Sequence, residues 1–261
     1  MQNLTLIYYS PTGTTKQVVR KIGKNTGLKL TCEYNIASNK ALPNAEVTNS
    51  SLTIIGLPVY AGRLPITVIE ALKKLKSNQS PVVIVVVYGN RAYEDSLLEL
   101  KEIVSNCGFN IIAGAAFIGE HSFSTNEKPI ALNRPDREDL EKCKEFAHMV
   151  IDKLKNSSSL AQLDIPGNTP YRERKPHSAR VHPKVDNNLC TLCGICAESC
   201  PVNAITINEV VEINGQLCTL CCACVKSCPE MAISLDNIPI NTIRDNLFLN
   251  FSIRKEPIYF V

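Results

Sequence analysis

The chain has 261 residues, 44% of them hydrophobic, which suffices for one ordinary domain plus a small one and excludes a disordered polymer. Its 28 Lys and Arg against 25 Asp and Glu leave a net charge of +3, too small to make nucleic acid or an anionic membrane the main partner. No apolar run approaches the roughly 20 residues of a spanning helix, and the N-terminal LTLIYYS lacks the cationic and apolar regions of an export signal. A cytoplasmic protein without membrane insertion is expected. Eight of the twelve cysteines fall in two tight clusters, so metal ligation in a reducing compartment is expected in preference to disulfides.

Residues 4–9 (LTLIYY) form an apolar run that predicts a first strand, and the spacing of Val18, Val19 and Ile22 predicts a helix beginning near Thr14. The same alternation predicts strands near 28–34, 52–57, 82–87 and 110–117, and helices near 65–76, 92–106 and 135–155. Gly108 is placed to cap the third helix. Strands this apolar, alternating with amphipathic helices, predict an α/β fold: a parallel sheet covered on both faces. Ligands of such sheets bind beyond the carboxyl ends of the strands, which directs attention to the loops after the first, third and fourth.

The first of these loops is SPTGTT, Ser10 to Thr15. The hydroxyls of Ser10, Thr12, Thr14 and Thr15, the close backbone approach allowed by Gly13 and the free amides of a helix N-terminus together suit a phosphate dianion. The sequence has no Walker Lys-Ser/Thr ending and no GxGxxG, so neither an ATP loop nor a dinucleotide fingerprint is present. The second loop, LPVYAGRLP (57–65), holds Pro58, Val59, Tyr60, Ala61 and Gly62; the third, YGNRAYEDS (88–96), holds Tyr88, Gly89, Asn90, Tyr93 and Asp95. Tyr60 and Tyr93 on adjacent loops can sandwich a planar heterocycle while the small residues free backbone groups for its edge. A phosphate plus a flat ring describes FMN, and these residues are its expected contacts. The segment GEHSFSTNEKPIALNRPD (119–136) is expected to be a solvated loop, with His121 and Ser124 as its candidates for reaching a flavin edge or a substrate.

On these motifs residues 1–155 resemble a flavodoxin. The resemblance implies a doubly wound five-stranded sheet of order 2-1-3-4-5, phosphate in the Ser10–Thr15 loop and isoalloxazine packed by the Tyr60 and Tyr93 loops. Tyr60 stands where many flavodoxins use Trp, and the strongly acidic surface of that family is missing.

Residues 156–184 are Pro-rich and basic, a linker in whose stretch 172–184 Arg172, Arg174, Lys175, Arg180 and Lys184 oppose only Glu173. Such a strap either docks on an acidic partner or the flavodoxin-like surface, or is solvated. After it come CTLCGICAESCP (190–201) and CTLCCACVKSCP (218–229), each with the spacing C-x2-C-x2-C-x3-C-P. Three thiolates two residues apart wrap one cubane, and the fourth, before proline, points to the other cluster. Zinc sites, the alternative, pair two CxxC knuckles across a longer gap. Residues 185–235 resemble a bacterial-type two-cluster ferredoxin, a small α+β domain. That resemblance assigns Cys190, Cys193, Cys196 and Cys228 to one [4Fe-4S] cluster and Cys218, Cys221, Cys224 and Cys200 to the second. Cys222, like Cys32, Cys107 and Cys143, is expected to be a small buried or surface residue and not a ligand. In the tail, 236–261, Phe248, Phe251, Tyr259 and Phe260 are expected to pack on a domain surface.

As a whole the sequence resembles the flavodoxin-ferredoxin fusion proteins. A flavin exchanges one or two electrons and a cubane one. The expected function is therefore that of a soluble electron-transfer protein joining FMN to two [4Fe-4S] clusters in anaerobic-type metabolism. Its partner would be a redox-protein donor or acceptor, and its oligomeric state is left open. The alternative is an oxidoreductase that reduces a small acceptor at the exposed flavin face. With no nicotinamide fingerprint and no convincing general acid, the carrier is favoured and no catalytic residue is assigned.

Overall fold

A computed structural model describes residues 2–36, 46–47, 51–156, 163–176 and 178–261; linker residues 157–162 and 177 lie outside the described residues. In chain order the first half forms β1 (Asn3–Tyr8), α1 (Thr14–Asn25), β2 (Lys29–Asn35), β3 (Ser51–Pro58), α2 (Ile66–Leu72), β4 (Pro81–Tyr88), α3 (Ser96–Asn106), β5 (Asn110–Ile118) and α4 (Arg137–Asn156). The five strands pair in parallel in the order β2-β1-β3-β4-β5, the doubly wound order expected.

The central strand β4, PVVIVVVY, shows why the sheet is two-sided. All eight of its residues are buried. Val82, Ile84 and Val86 join the core that includes Leu72, Leu97 and Leu100 of α2 and α3, whereas Val83, Val85 and Val87 join the core that includes Val18, Ile22 and Phe146 of α1 and α4. Alternate residues thus feed opposite layers. Two helices are shorter than their patterns predict. After α2 the chain turns extended, and Lys76–Ser77 pairs with Glu46–Val47 in a two-residue parallel ladder. Before α3, Asn90 and Glu94 hold positive φ (63° and 44°), so the 88–95 segment cannot begin the helix early.

The second half forms β6 (Lys184–Val185), α5 (Ile195–Ser199), β7 (Ile205–Ile207), β8 (Val211–Ile213), α6 (Ala223–Ser227) and β9 (Ile233–Ser234). Strands β6 and β9 pair antiparallel, as do β7 and β8. The two cysteine runs are offset by 28 residues, and the structure repeats with them. The Asp186 amide donates to the Ala232 carbonyl (2.8 Å) as the Asn214 amide does to Ala204 (2.7 Å). Ser199 Oγ meets its counterpart Ser227 Oγ at 3.0 Å, marking a pseudo-twofold axis between α5 and α6. The module's small core contains Cys196, Cys200 and Cys224 among Ala204, Ile205, Val211 and Ile233.

The tail is more than a packed end. Asn237 caps α7 (Ile238–Phe251), its side chain accepting from the Ile240 amide (3.2 Å), and Pro239 occupies the first turn. The chain then returns as β10 (Ile258–Phe260), which pairs antiparallel with β5 and adds a sixth strand to the expected five. Tyr259 stacks on Phe146 with centroids 5.1 Å apart and donates its hydroxyl to the Lys142 carbonyl (2.9 Å). Phe248 and Phe251 are half-buried.

Candidate functional site

The β1–α1 loop is shaped by Gly13, whose φ of 86° places it just before α1, where a Cβ would meet open space. Gly13 offers no side chain to cap α1, and the first turn carries no acidic residue. Ser10 Oγ accepts from the Lys16 amide (3.0 Å), and the Thr12 and Thr14 hydroxyls lie 3.3 Å apart at the accessible mouth, with Ser10 and Thr15 buried behind them. Uncapped helix amides plus exposed hydroxyls are a donor set that fits a phosphate.

In the loop after β3, Tyr60 and Arg63 exchange backbone hydrogen bonds (2.9 and 3.1 Å) around Ala61 and Gly62, both at positive φ. Gly62 lies against the Glu94 carboxylate, which a Cβ would strike. Pro58, Val59 and Tyr60 are half-buried at the rim. In the loop after β4 the Tyr93 ring meets Tyr88 edge-on at 5.6 Å, and the His121 side chain packs on Gly89. Two residues expected at the flavin are engaged elsewhere. Asp95 is buried, and both its oxygens accept from the linker: Asn168 N (2.8 Å), Asn168 Nδ2 (3.0 Å) and Arg172 N (2.6 Å). Asn90, also buried, donates its amide to the Phe251 and Ile253 carbonyls (2.6 and 2.8 Å), closing the end of α7.

These bonds show where the basic strap goes. Glu99 accepts from Arg63 Nε and Nη2 (both 2.9 Å), from the Leu64 amide (3.0 Å) and from Arg174 Nη2 (2.7 Å). Arg172 pairs with Glu94, Tyr171 donates to Glu102, and Arg63 lies 4.5 Å over the Tyr171 ring. Burial pushes the Glu99 carboxyl up, but the Arg63 hydrogen bonds, the Leu64 amide and the Arg174 charge more than offset it and leave it below the usual carboxylate range. The strap is thus docked on acidic groups at and before α3, while Lys175, Arg180 and Lys184 remain exposed.

In the cysteine module the two runs interleave. Cys190, Cys193, Cys196 and Cys228 line one cavity; Cys218, Cys221, Cys224 and Cys200 line another. Positive φ at Leu192, Gly194, Leu220 and Cys222 folds each run around its cavity. Backbone amides approach two sulfurs, Ala204 N at 3.2 Å from Cys200 Sγ and Leu220 N at 3.5 Å from Cys218 Sγ, the kind of donor that stabilises a ligating thiolate. Among the described residues no three Cys, His, Asp or Glu converge on a single metal ion; four thiols around a shared cavity fit a polynuclear guest. Cys222 is buried with Leu235 and Ile240, packed among apolar side chains as expected.

The second cavity lies near the loops after β1 and β3. Tyr9, immediately before the phosphate loop, is 2% exposed; burial raises its phenol well above the ordinary range, followed by the charge of Cys221 and, more weakly, of Cys200. Burial likewise raises Tyr60, with Cys221, Tyr9 and Cys222 adding to it. Among the described residues, Tyr9 Oη and Thr219 Oγ1 are buried without a hydrogen bond of normal geometry. The 119–136 segment supplies the rest of the contact, contrary to the solvated loop expected. Phe123 packs with Cys222, Leu235 and Ile240, Lys226 pairs with Glu120, and Arg244 bridges the Phe123 and Leu235 carbonyls (2.8 Å each). His121 stays behind this contact, its Nδ1 accepting from the Phe123 amide (3.0 Å); burial, with the Arg91 charge, pulls its pKa down to about 4. Ser124 is buried and its hydroxyl accepts from the Ile130 amide. Tyr9, Thr219, Glu120 and Phe123 were not singled out from sequence; only the repeat of Thr191 as Thr219 hints at one of them.

Residues 183–206 match the 4Fe-4S binding domain family, a stretch that holds the first cysteine run. No curated protein matches the chain. Among solved structures the chain is similar to a flavodoxin from the domain Archaea, with 14% identity over 59% of this chain and 100% of that one, and a TM-score of 0.42. It is similar also to the flavodoxin of Streptococcus pneumonia TIGR4 (16% identity, 58% and 99% covered, TM-score 0.41). Flavodoxin 2 from Bacillus cereus gives 17% identity, 59% and 99% covered, and a TM-score of 0.43. No helix among the described residues is long and apolar enough to cross a membrane.

Proposed function

We propose that this chain is an electron-transfer protein that holds FMN at the carboxyl ends of β1, β3 and β4 and two [4Fe-4S] clusters in the crossed cysteine sets. The cavity of Cys218, Cys221, Cys224 and Cys200 lies between the flavin and the outer cavity. The observation that carries this reading is the packing of Phe123 on the cluster of Cys222, Leu235 and Ile240, with the charges of Cys221 and Cys222 close enough to act on Tyr60, which sets one cysteine cavity near the loops expected to hold flavin. When bound, the flavin supplies the exchange between two-electron and one-electron chemistry that the clusters lack.

The chain's own residues do the positioning. The α1 amides with Thr12 and Thr14 anchor phosphate, Gly13 and Gly62 let backbone approach, and Tyr60 and Tyr93 wall the ring. The docked strap, α7 and the 119–136 segment fix the module against these loops, a restraint that a flexible tether would lack. The external donor or acceptor is a second redox protein. Anaerobic reconstitution tests this reading: one FMN and about eight irons per chain are expected. Thr12→Ala with Thr14→Ala should weaken FMN by roughly 1.5–3 kcal/mol per lost bond, and unchanged affinity would remove the phosphate assignment. Cys200→Ser should damage the cluster of the second run; loss confined to the cluster of Cys190, Cys193 and Cys196 would contradict the crossing.

A further inference from the structure

The 28-residue repeat pairs each surface of the first cysteine run with one of the second, and the two members of one such pair meet different surroundings. Cys221, Cys222 and Ala223 are buried, Leu220 and Phe123 pack on the same cluster around Cys222, and Lys226, itself exposed, pairs with Glu120 of the chain's own α/β half. Their counterparts Leu192, Cys193, Gly194, Ile195 and Glu198 stand open, with Leu192 44% and Ile195 39% exposed and Cys193 exposed beside its cavity. The covered face shows what this surface is built to seat, namely the cofactor-side loops of another redox unit.

Two substitutions between the repeats say which unit the open face takes. Ile195 replaces Ala223, which is 2% exposed, so the open face needs a deeper apolar seat than the α/β half offers. Glu198 replaces Lys226. Docked on the chain's own loops, it would set a carboxylate against Glu120 where Lys226 now makes an ion pair. Glu230, at the mouth of the first cavity, adds to the negative charge. The open face is therefore specified against the α/β half of this chain or of a second copy.

We propose that the face formed by Leu192, Cys193, Ile195 and Glu198 is the docking site of an external redox protein whose cofactor rim offers an apolar recess flanked by a Lys or Arg. The proposal rests on the electron-transfer reading above, and makes the first cluster the port through which electrons enter or leave. Burial of Leu192 and Ile195 would supply the contact, and Glu198 the pairing that sets orientation.

The probe is tris(phenanthroline)chromium(III), an apolar, inert cation whose binding to the full chain is measured by equilibrium dialysis at low ionic strength. Its binding needs no electron transfer, so a chain that fails to exchange electrons still reports on this face. Glu198→Lys should weaken binding at least tenfold and Leu192→Ala with Ile195→Ala several-fold, whereas Glu70→Lys, the same charge change on exposed α2, should leave it within twofold. In a second arm, oxidation of the reduced holoprotein by tris(phenanthroline)cobalt(III) should slow in Glu198→Lys while oxidation by hexacyanoferrate(III) speeds up. Equal effects of Glu70→Lys and Glu198→Lys, or no effect of the double alanine variant, would overturn the assignment.

Discussion

The two halves of the chain are held together by different means. The α/β half has two apolar layers whose members, from Leu4 to Ile165, are buried hydrophobics. The cysteine module has strands of two or three residues and a core in which three of seven buried members are cysteines assigned to iron. A chain segment this short cannot bury enough apolar surface to offset its conformational entropy. The first half thus rests on apolar packing, to which the strap and the tail add Leu163, Ile165, Tyr259 and Phe260, whereas on the proposed assignment the second half depends on its clusters and on its neighbour.

The largest expected effect separates the halves outright. Removing iron under anaerobic chelation should unfold the cysteine module while leaving the sheet intact, because metal binding there is folding free energy. Amide protection measured before and after chelation should fall in 184–235 and persist in β1, β3 and β4. Next, Phe146→Ala removes a fully buried ring that touches Phe117 and Tyr259 and should cost about 3–5 kcal/mol in urea unfolding of the α/β half. Iron content should stay unchanged in that variant.

A smaller effect is expected at the strap. Glu99→Gln leaves Arg63 and Arg174 without their carboxylate and should cost about 3 kcal/mol while exposing 163–176 to protease. Acid should act on the same contact. With its folded-state pKa lowered, Glu99 contributes stability above the ordinary carboxylate pKa of about 4.3, and this is lost as pH falls through the lower folded value. The smallest effect concerns His121. Its pKa of about 4 lies below the roughly 6.5 of free imidazole, so stability should decline between pH 6.5 and 4 as the unfolded state takes up the proton. His121→Gln should flatten that decline, as read from urea midpoints at stepped pH.

How much of this was legible in sequence followed the same division. The strands of the sheet could be placed because Val-rich runs such as 81–88 have one reading in a two-sided sheet, and the two cysteine runs stand out by their repeated C-x2-C-x2-C-x3-C-P spacing, whereas their crossed pairing is what the ferredoxin resemblance implies. Docking was not legible. Asp95 and Asn90 look like ring-site polar groups, but each is spent on a segment at least 70 residues away, Asn168 and Arg172 for one and Phe251 for the other. The 119–136 segment looks like a polar loop because its few apolar residues are scattered: Phe123 meets the cluster of Cys222, Leu235 and Ile240, while Ile130 is buried and Ala131 packs on a core of the sheet. Strand β10 is three residues long, and its pairing depends on the β5 edge left open by the sheet order.

The central claim is that the cavity of Cys218, Cys221, Cys224 and Cys200 is the step between flavin and the outside. Flash photoreduction of bound flavin in the intact chain, followed by bleaching of cluster absorbance, tests it most directly when Cys200→Ser and Cys193→Ser are compared. The account predicts that Cys193→Ser keeps the first transfer at the unmodified rate and that Cys200→Ser abolishes it. Transfer that survives in Cys200→Ser, or disappears in Cys193→Ser with the second cluster intact, would contradict it.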